Sequence, residues 1–311
     1  MGTAHRGSKC PWALPTEIPG GESVTYLRQF SIPGLGAREG FTNDIKRRCY
    51  NTVYPFNVFE LRELPELEFE PVTILCGGNG CGKSTLLNVI AEKLSVTRSA
   101  PYNRSNFFED YVRMCRCEVY GDPAAIANGR IITSDDVFDY LLNIRTLNES
   151  VDHKREELFE EYTDAKHAKY SFRSMADYED LKKFVDAHRR TQSRYVRDRL
   201  AANIPERSNG ESALAFFVDA IKENALYLLD EPENSLSAER QLELVSFIED
   251  SARFYGCQFI IASHSPFILA ARGAKVYDLD SEPLCVKKWT ELRNVRTYFN
   301  FFESHRKDFE P

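Results

Sequence analysis

No stretch of the 311 residues approaches the ~18 consecutive apolar residues that a membrane-spanning helix needs. The opening MGTAHRGSKCPWALP lacks the apolar core of a signal peptide. Arg6 stands where a myristoylation pattern wants Ser or Thr. The expectation is a soluble, cytoplasmic chain. Cysteine is sparse, with 8 in the whole sequence, which excludes a disulfide-built scaffold. Cys115 and Cys117 form a C-x-C pair with no second arm, so ordinary thiols are expected there rather than zinc. Basic charge is not in excess: 40 Lys and Arg against 47 Asp and Glu leave a net charge of −7. That excludes a generally basic coat for nucleic acid and confines any such contact to a local patch. Internal repeats, low-complexity tracts and sustained a/d heptads are missing as well.

What is present is globular in character, with 42% hydrophobic and 28% charged residues. Length alone suggests two domains, or one α/β domain with insertions. Residues 1–22 are rich in Gly, Pro and Ser and read as a flexible leader. Apolar runs predict strands over 24–30, 56–64, 72–76, 225–229 and 258–262. A helix is expected over 86–94. A second is marked by Leu242, Val245 and Ile248, and a last one by Leu292, Val295, Phe299 and Phe302 on one face. Strands alternating with helices give an α/β fold with a mostly parallel sheet flanked by helices. Residues 147–199 contain no Pro or Gly and many charges, which is helical composition. The expectation is one domain over 23–311, with a helical lobe at about 100–205 inserted into it. A helix of 25 residues there would span about 40 Å.

Two segments carry chemistry on their own terms. Gly77-Gly78-Asn79-Gly80-Cys81-Gly82-Lys83-Ser84-Thr85 fits G-x-x-x-x-G-K-[ST], with a predicted strand before it and a helix after. Small residues let backbone N–H groups curl around phosphate oxygens at a helix N-terminus. Lys83 would reach the β- and γ-phosphates of ATP, and Ser84 would coordinate Mg²⁺. The strand at 225–229 ends in Asp230-Glu231-Pro232. It delivers two carboxylates to the C-terminal edge of the sheet, Asp230 for Mg²⁺ and Glu231 as the general base for water.

Two further segments resemble the ATP-binding-cassette (ABC) ATPases. Arg207-Ser208-Asn209-Gly210-Glu211-Ser212 looks like their signature motif in the S-x-G-E form, and Ser263-His264-Ser265-Pro266 looks like their switch-histidine loop. The order of the four motifs is the ABC order. The chain thus resembles the soluble, chromosome-maintenance (SMC) and DNA-repair-like AAA family ATPases of the P-loop NTPase superfamily, a type also found in bacterial defence. The resemblance implies an ATPase with ATP and Mg²⁺ as cofactors and an ATP-dependent homodimer. Ser208 and Gly210 would act in trans on nucleotide held by the opposite subunit, His264 would contact the γ-phosphate and water, and residues 233–237 would form the inter-subunit communication loop. It also implies an effector protein, DNA or RNA as partner. The competing reading is the nucleotide-binding subunit of a membrane transporter. A third is a non-hydrolysing ATP-gated scaffold, which intact Asp230, Glu231 and His264 disfavour.

The family's Gln between phosphate loop and signature is not found in RIITSDDVFDY at 130–140. Asp135 or Asp136 could bind Mg²⁺ instead, but helix N-capping by Ser134 with acids in the first turn accounts for them slightly better. The missing Gln and the Ser-His-Ser-Pro form lean away from a transporter. Tyr50, Tyr54 and Phe56 are candidates to stack on adenine. Cys81 is either a redox-sensitive thiol in the loop or, the preferred reading, a tolerated small residue. Arg189, Arg190, Arg194, Arg197 and Arg199 are the best local patch for a phosphate backbone. Pairing with the acids at 156–164, or plain solvation, is the favoured alternative.

Overall fold

The computed structural model describes residues 24–46, 53–59, 64, 66–168, 178–204 and 208–309. The expected leader, Tyr50 and Arg207 lie outside them. In chain order the elements begin with β1 (Leu27–Ser31), α1 (Leu35–Lys46), β2 (Leu67–Glu68), β3 (Val72–Cys76), α2 (Lys83–Leu94), α3 (Phe108–Met114), β4 (Arg116–Val119), α4 (Pro123–Ala127) and β5 (Arg130–Thr133). Then come α5 (Ser134–His167), α6 (Tyr178–Arg189), α7 (Gln192–Arg197) and α8 (Asn209–Ala220). The chain continues with β6 (Leu226–Asp230), α9 (Ala238–Phe254), β7 (Gln258–Ala262), α10 (Pro266–Leu269), β8 (Lys275–Asp278), β9 (Cys285–Val286) and α11 (Arg293–Ser304). Two units divide it, residues 1–134 with 217–311 and residues 135–216.

In the first unit, six strands form a sheet of order β5-β6-β7-β3-β8-β9, parallel up to β8 and antiparallel at β9. VTILC of β3 and QFIIA of β7 are buried at every position, and LYLLD of β6 at all but its last. Strands covered on both faces have no polar side to show, which is why they read as unbroken apolar runs. Register pairs Val72 with Phe259 and Asp230 with Ala262, so the carboxyl ends of β3, β6 and β7 line up along one edge. A second sheet, β2-β1-β4, is antiparallel. Buried Gln258 ties it to the first: its side-chain oxygen accepts from Tyr26 N and Leu27 N at 2.8 Å each, and its amide donates to Leu27 O at 2.9 Å. Those bonds satisfy backbone groups that would otherwise be orphaned in the core.

The second unit is helical. The 34 residues of α5 make it about 50 Å long. Leu158 of α5 packs with Ala187, Tyr195 and Val196 in a small core of its own. This unit begins at Asp135 rather than near residue 100, because Arg116–Val119 and Arg130–Thr133 are strands of the first unit.

Three sequence expectations are corrected. Residues 54–59 form a turn, not the first half of a strand; Phe56 and Phe59 reach the core from it, Phe56 stacking on Phe41 at 4.5 Å. In α9 the buried stripe is Leu244, Val245, Ile248 and Ala252, while Leu242 is exposed. In α11 Val295 is buried, as is Leu292 just before it, but Phe299 and Phe302 are 55% and 53% exposed. Their spacing is helical, but the ring contacts they make are with near neighbours in sequence, Arg296 over Phe299 and Phe301 and Phe309 beside Phe302, and leave both exposed. No described helix is long and apolar enough to cross a membrane.

Candidate active site

Between β3 and α2 the glycine loop turns sharply. Gly80 has φ +83° and Gly82 φ +100°, a region glycine enters without a Cβ clash. At Gly82 a Cβ would come within 2.7 Å of the Phe59 ring and 2.9 Å of Val58, whereas at Gly80 it would meet nothing within 4 Å. Gly82→Ala is therefore expected to cost about 2–4 kcal/mol by overpacking and backbone strain. Gly80→Ala is expected to cost about 1 kcal/mol, from backbone strain alone. Thermal melts of both variants check this, and equal losses would refute the role given to Phe59. Cys81 is buried with its sulfur over Gly77, where an added Cβ would lie only 2.5 Å away.

Lys83, at the start of α2, is buried and donates from Nζ to Gly77 O at 2.8 Å and Gly78 O at 3.1 Å. Its Nζ lies 3.8 Å from Glu231 Oε1. Ser84 Oγ donates to Asp230 Oδ1 at 2.9 Å, joining the loop to the end of β6. Burial, above all, pushes the Asp230 carboxyl up to about 6; the Ser84 hydrogen bond and Lys83 pull the other way, and Glu231 and Glu233 add to the rise. A buried carboxylate with a raised pKa is a group short of positive charge. Ser84 and Asp230 are both hard oxygen donors, so the pair suits Mg²⁺, which takes one or two protein oxygens together with substrate phosphates. The open space at Gly80 and the N-terminus of α2 leave room for a phosphate. Beyond the loop, Gly78 N donates to Asp280 Oδ2 at 2.8 Å, and Thr85 Oγ1 accepts from Tyr54 at 3.3 Å. Burial raises the Tyr54 phenol, while Phe56 is wholly core.

Glu231 has left-handed backbone, φ 48° and ψ 55°, and its N–H donates to Ala262 O at 2.9 Å. The turn carries its carboxylate to 3.8 Å from His264 Nδ1 as well as from Lys83, and Asn234 donates to its Oε2 at 3.1 Å. Lys83, Ser84, Asp230, Glu231 and His264 are thus brought together by adjoining carboxyl ends of β3, β6 and β7. Three residues that sequence reasoning gave no such part join them: Glu233, whose Oε1 accepts from Ser263, His264 N and Ser265 N; Gln241, bonded to Ser265; and Asn294, which donates to His264 O. Only their helical or loop setting was legible, since each acts across 24–32 positions of chain.

In the helical unit Ser208 and Glu211 form a reciprocal capping box at α8, each side chain bonding the other's N–H at 3.3 Å, and Arg145 of α5 donates to Asn209 at 2.9 Å. Ser208 and Asn209 are exposed and Gly210 is half-buried. Asp135 and Asp136 stand in the first turn of α5, Asp136 buried. Among the arginines, Arg190 pairs with Asp198 at 2.8 Å, and Arg199 with Asp186 at 3.0 Å and Glu161 at 3.1 Å. Arg194 is exposed 3.9 Å from Asp198. Among the described residues no cluster of three or more His, Cys, Asp or Glu side chains could hold a metal ion, Cys115 and Cys117 included.

Residues 141–270 match the family model described as "AAA domain, putative AbiEii toxin, Type IV TA system". Comparison with curated proteins gives no match. Among solved structures, "An inward-facing conformation of a putative metal-chelate type ABC transporter" is 17% identical, with a TM-score of 0.40 over 89% of this chain and 90% of that one. The Smc head domain with an extended coiled coil, bound to the C-terminal domain of ScpA derived from Pyrococcus furiosus, is 13% identical, with a TM-score of 0.39 over 90% and 99%. A dimeric ATP-binding cassette in a post-hydrolysis state, bound to ADP and Pi, is 14% identical, with a TM-score of 0.34 over 70% and 85%. Such distant likenesses carry no argument about substrate or partner. The family match spans less than half of the chain and leaves out the glycine loop, which stands at the carboxyl end of β3 in a mostly parallel sheet.

Proposed function

We propose that the chain binds and hydrolyses Mg-ATP and closes head-to-head with a second copy on ATP, so as to drive a partner protein or a nucleic-acid transaction. The observation that carries the reading is the Ser84–Asp230 hydrogen bond at 2.9 Å, with Lys83 Nζ set between the loop carbonyls and Glu231. Bound Mg-ATP would supply the transferable phosphoryl group and the cation that balances its charge. Ser84 and Asp230 would hold the cation. Lys83 would exchange its loop carbonyls for phosphate oxygens, a move of a flexible side chain already aimed at the cradle. Glu231 would orient water and take its proton, and His264 would meet the terminal phosphate from the neighbouring strand.

Ser208 and Gly210, at the exposed start of a 12-residue helix, would offer the second copy an anion site. Loss of the shared phosphate would then let the pair open. The ion pairs of Arg190 and Arg199 with Asp198, Asp186 and Glu161 use up much of the candidate basic patch, which favours an effector protein over nucleic acid as the partner. The toxin–antitoxin system named in the matched family's description supports a defence setting among those the sequence suggests. Phosphate release from Mg-ATP is the test: release is expected, with loss to background when EDTA removes the metal. A rise on adding DNA would favour the nucleic-acid branch, and neither release nor nucleotide binding would sink the reading.

A further inference from the structure

His264 lies just beyond β7, in a loop braced locally by Ser263 Oγ, which accepts from Ser265 N at 3.1 Å, and by Ser265 Oγ, which accepts from Phe267 N at 3.2 Å. The backbone of His264 itself is held on both sides. The N–H donates to Glu233 Oε1 at 2.8 Å, and the carbonyl accepts from Asn294 Nδ2 at 2.7 Å. The same Glu233 oxygen takes Ser263 Oγ at 2.7 Å and Ser265 N at 3.1 Å. A second brace runs through Gln241, which accepts from Ser265 Oγ at 2.5 Å and donates to Leu236 O at 2.9 Å. Asn294 is itself oriented, because its Oδ1 accepts Val295 N at 2.8 Å.

Glu233 is 6% exposed, and a buried carboxylate is costly unless its oxygens are satisfied. Here one oxygen collects three donors while Oε2 has no hydrogen-bond partner. His264 Nδ1 is 3.2 Å from Oε1, an ion-pair distance, yet it too makes no hydrogen bond. The carboxylate is therefore spent on the N–H groups of His264 and Ser265 and the Ser263 hydroxyl, and not on the imidazole ring.

We infer that Glu233 and Asn294 are positioning residues that clamp the His264 backbone from opposite sides and so fix where its imidazole is presented to the glycine loop. This rests on the reading of His264 as the group that meets the terminal phosphate. Misplacement of a reacting group by about 1 Å costs on the order of 100-fold in rate.

The test is steady-state ATPase kinetics and ATP binding on the full chain. Asn294→Ala is expected to lower kcat about 10-fold and Glu233→Ala about 100-fold, with KM and ATP affinity within about twofold. Glu233→Gln keeps the acceptor oxygen and is expected to recover about 10-fold of that loss. Equal losses in the Gln and Ala variants would overturn the backbone role. In a His264→Ala background Asn294→Ala should cost nothing more, since residues acting through one another are not additive. An undiminished cost there overturns positioning while leaving the His264 reading intact. Should His264→Ala itself leave kcat unchanged, that reading falls and the inference with it. If Glu233→Ala does not fold, Asn294→Asp, which keeps the size and loses the donor, makes the same comparison.

Discussion

Replacing Glu231 with Gln is expected to lower ATP turnover about 1,000-fold while ATP affinity stays within a few fold. Gln matches Glu in shape and can still accept from Asn234, so the 3.1 Å bond that anchors the side chain survives. What disappears is the ability to take a proton at a site 3.8 Å from both Lys83 Nζ and His264 Nδ1. With hydrolysis blocked, the closed pair should accumulate, and light scattering on a sizing column in Mg-ATP should report twice the monomer mass. Turnover within threefold of the parent would remove Glu231 from the role of base. A monomeric profile with ATP bound would remove the dimer.

Asp230→Asn is the second large effect, and its two consequences have opposite signs. In the metal-free chain the carboxyl is raised to about 6, chiefly by burial, so keeping it ionised at pH 8 works against folding. A rise of about two pH units corresponds to roughly 3 kcal/mol. An acid whose folded pKa is raised destabilises fully above that value, and the penalty is gone below its unfolded value near 4. The Asn variant should therefore melt a few degrees higher than the parent at pH 8 without metal. The difference should shrink as pH falls through about 6 and vanish near 4. With Mg-ATP the order reverses, because the parent gains stability from binding that the variant has lost. Melting curves across pH, with and without Mg-ATP, check both halves. A variant that is less stable at pH 8, or a difference that does not change with pH, would contradict the burial of this charge.

Much of this was legible in the chain because buried parallel strands and glycine loops leave local marks. The apolar runs give β3 and β7 to the residue, and α2 to its last residue but from Leu86 instead of Lys83. Asp230 and Glu231 followed from the strand that ends in them. Strand β4 is hard to read because RCEV is only four residues long and none of them is buried, the strand lying at the edge of a small sheet. The run at 56–64 misleads because Phe56, Val58 and Phe59 are residue types that favour strands, when Phe56 and Phe59 enter the core from a turn. Glu233, Gln241 and Asn294 were illegible in their parts: a carboxylate's hydrogen bonds to a loop 30 positions away leave no periodicity.

Glu231 also marks a place where durability and use pull apart. A non-glycine residue in left-handed backbone gives up about 1–2 kcal/mol that Gly would not. Any scheme that selects this chain for heat resistance alone, whether by sequence averaging or by screening for survivors, is drawn to Gly or Asn at that position. It would deliver a tougher protein with its proton acceptor gone. Selection on turnover and selection on melting temperature are in conflict at this single backbone angle, so the strained Glu is a position to hold fixed in any such effort.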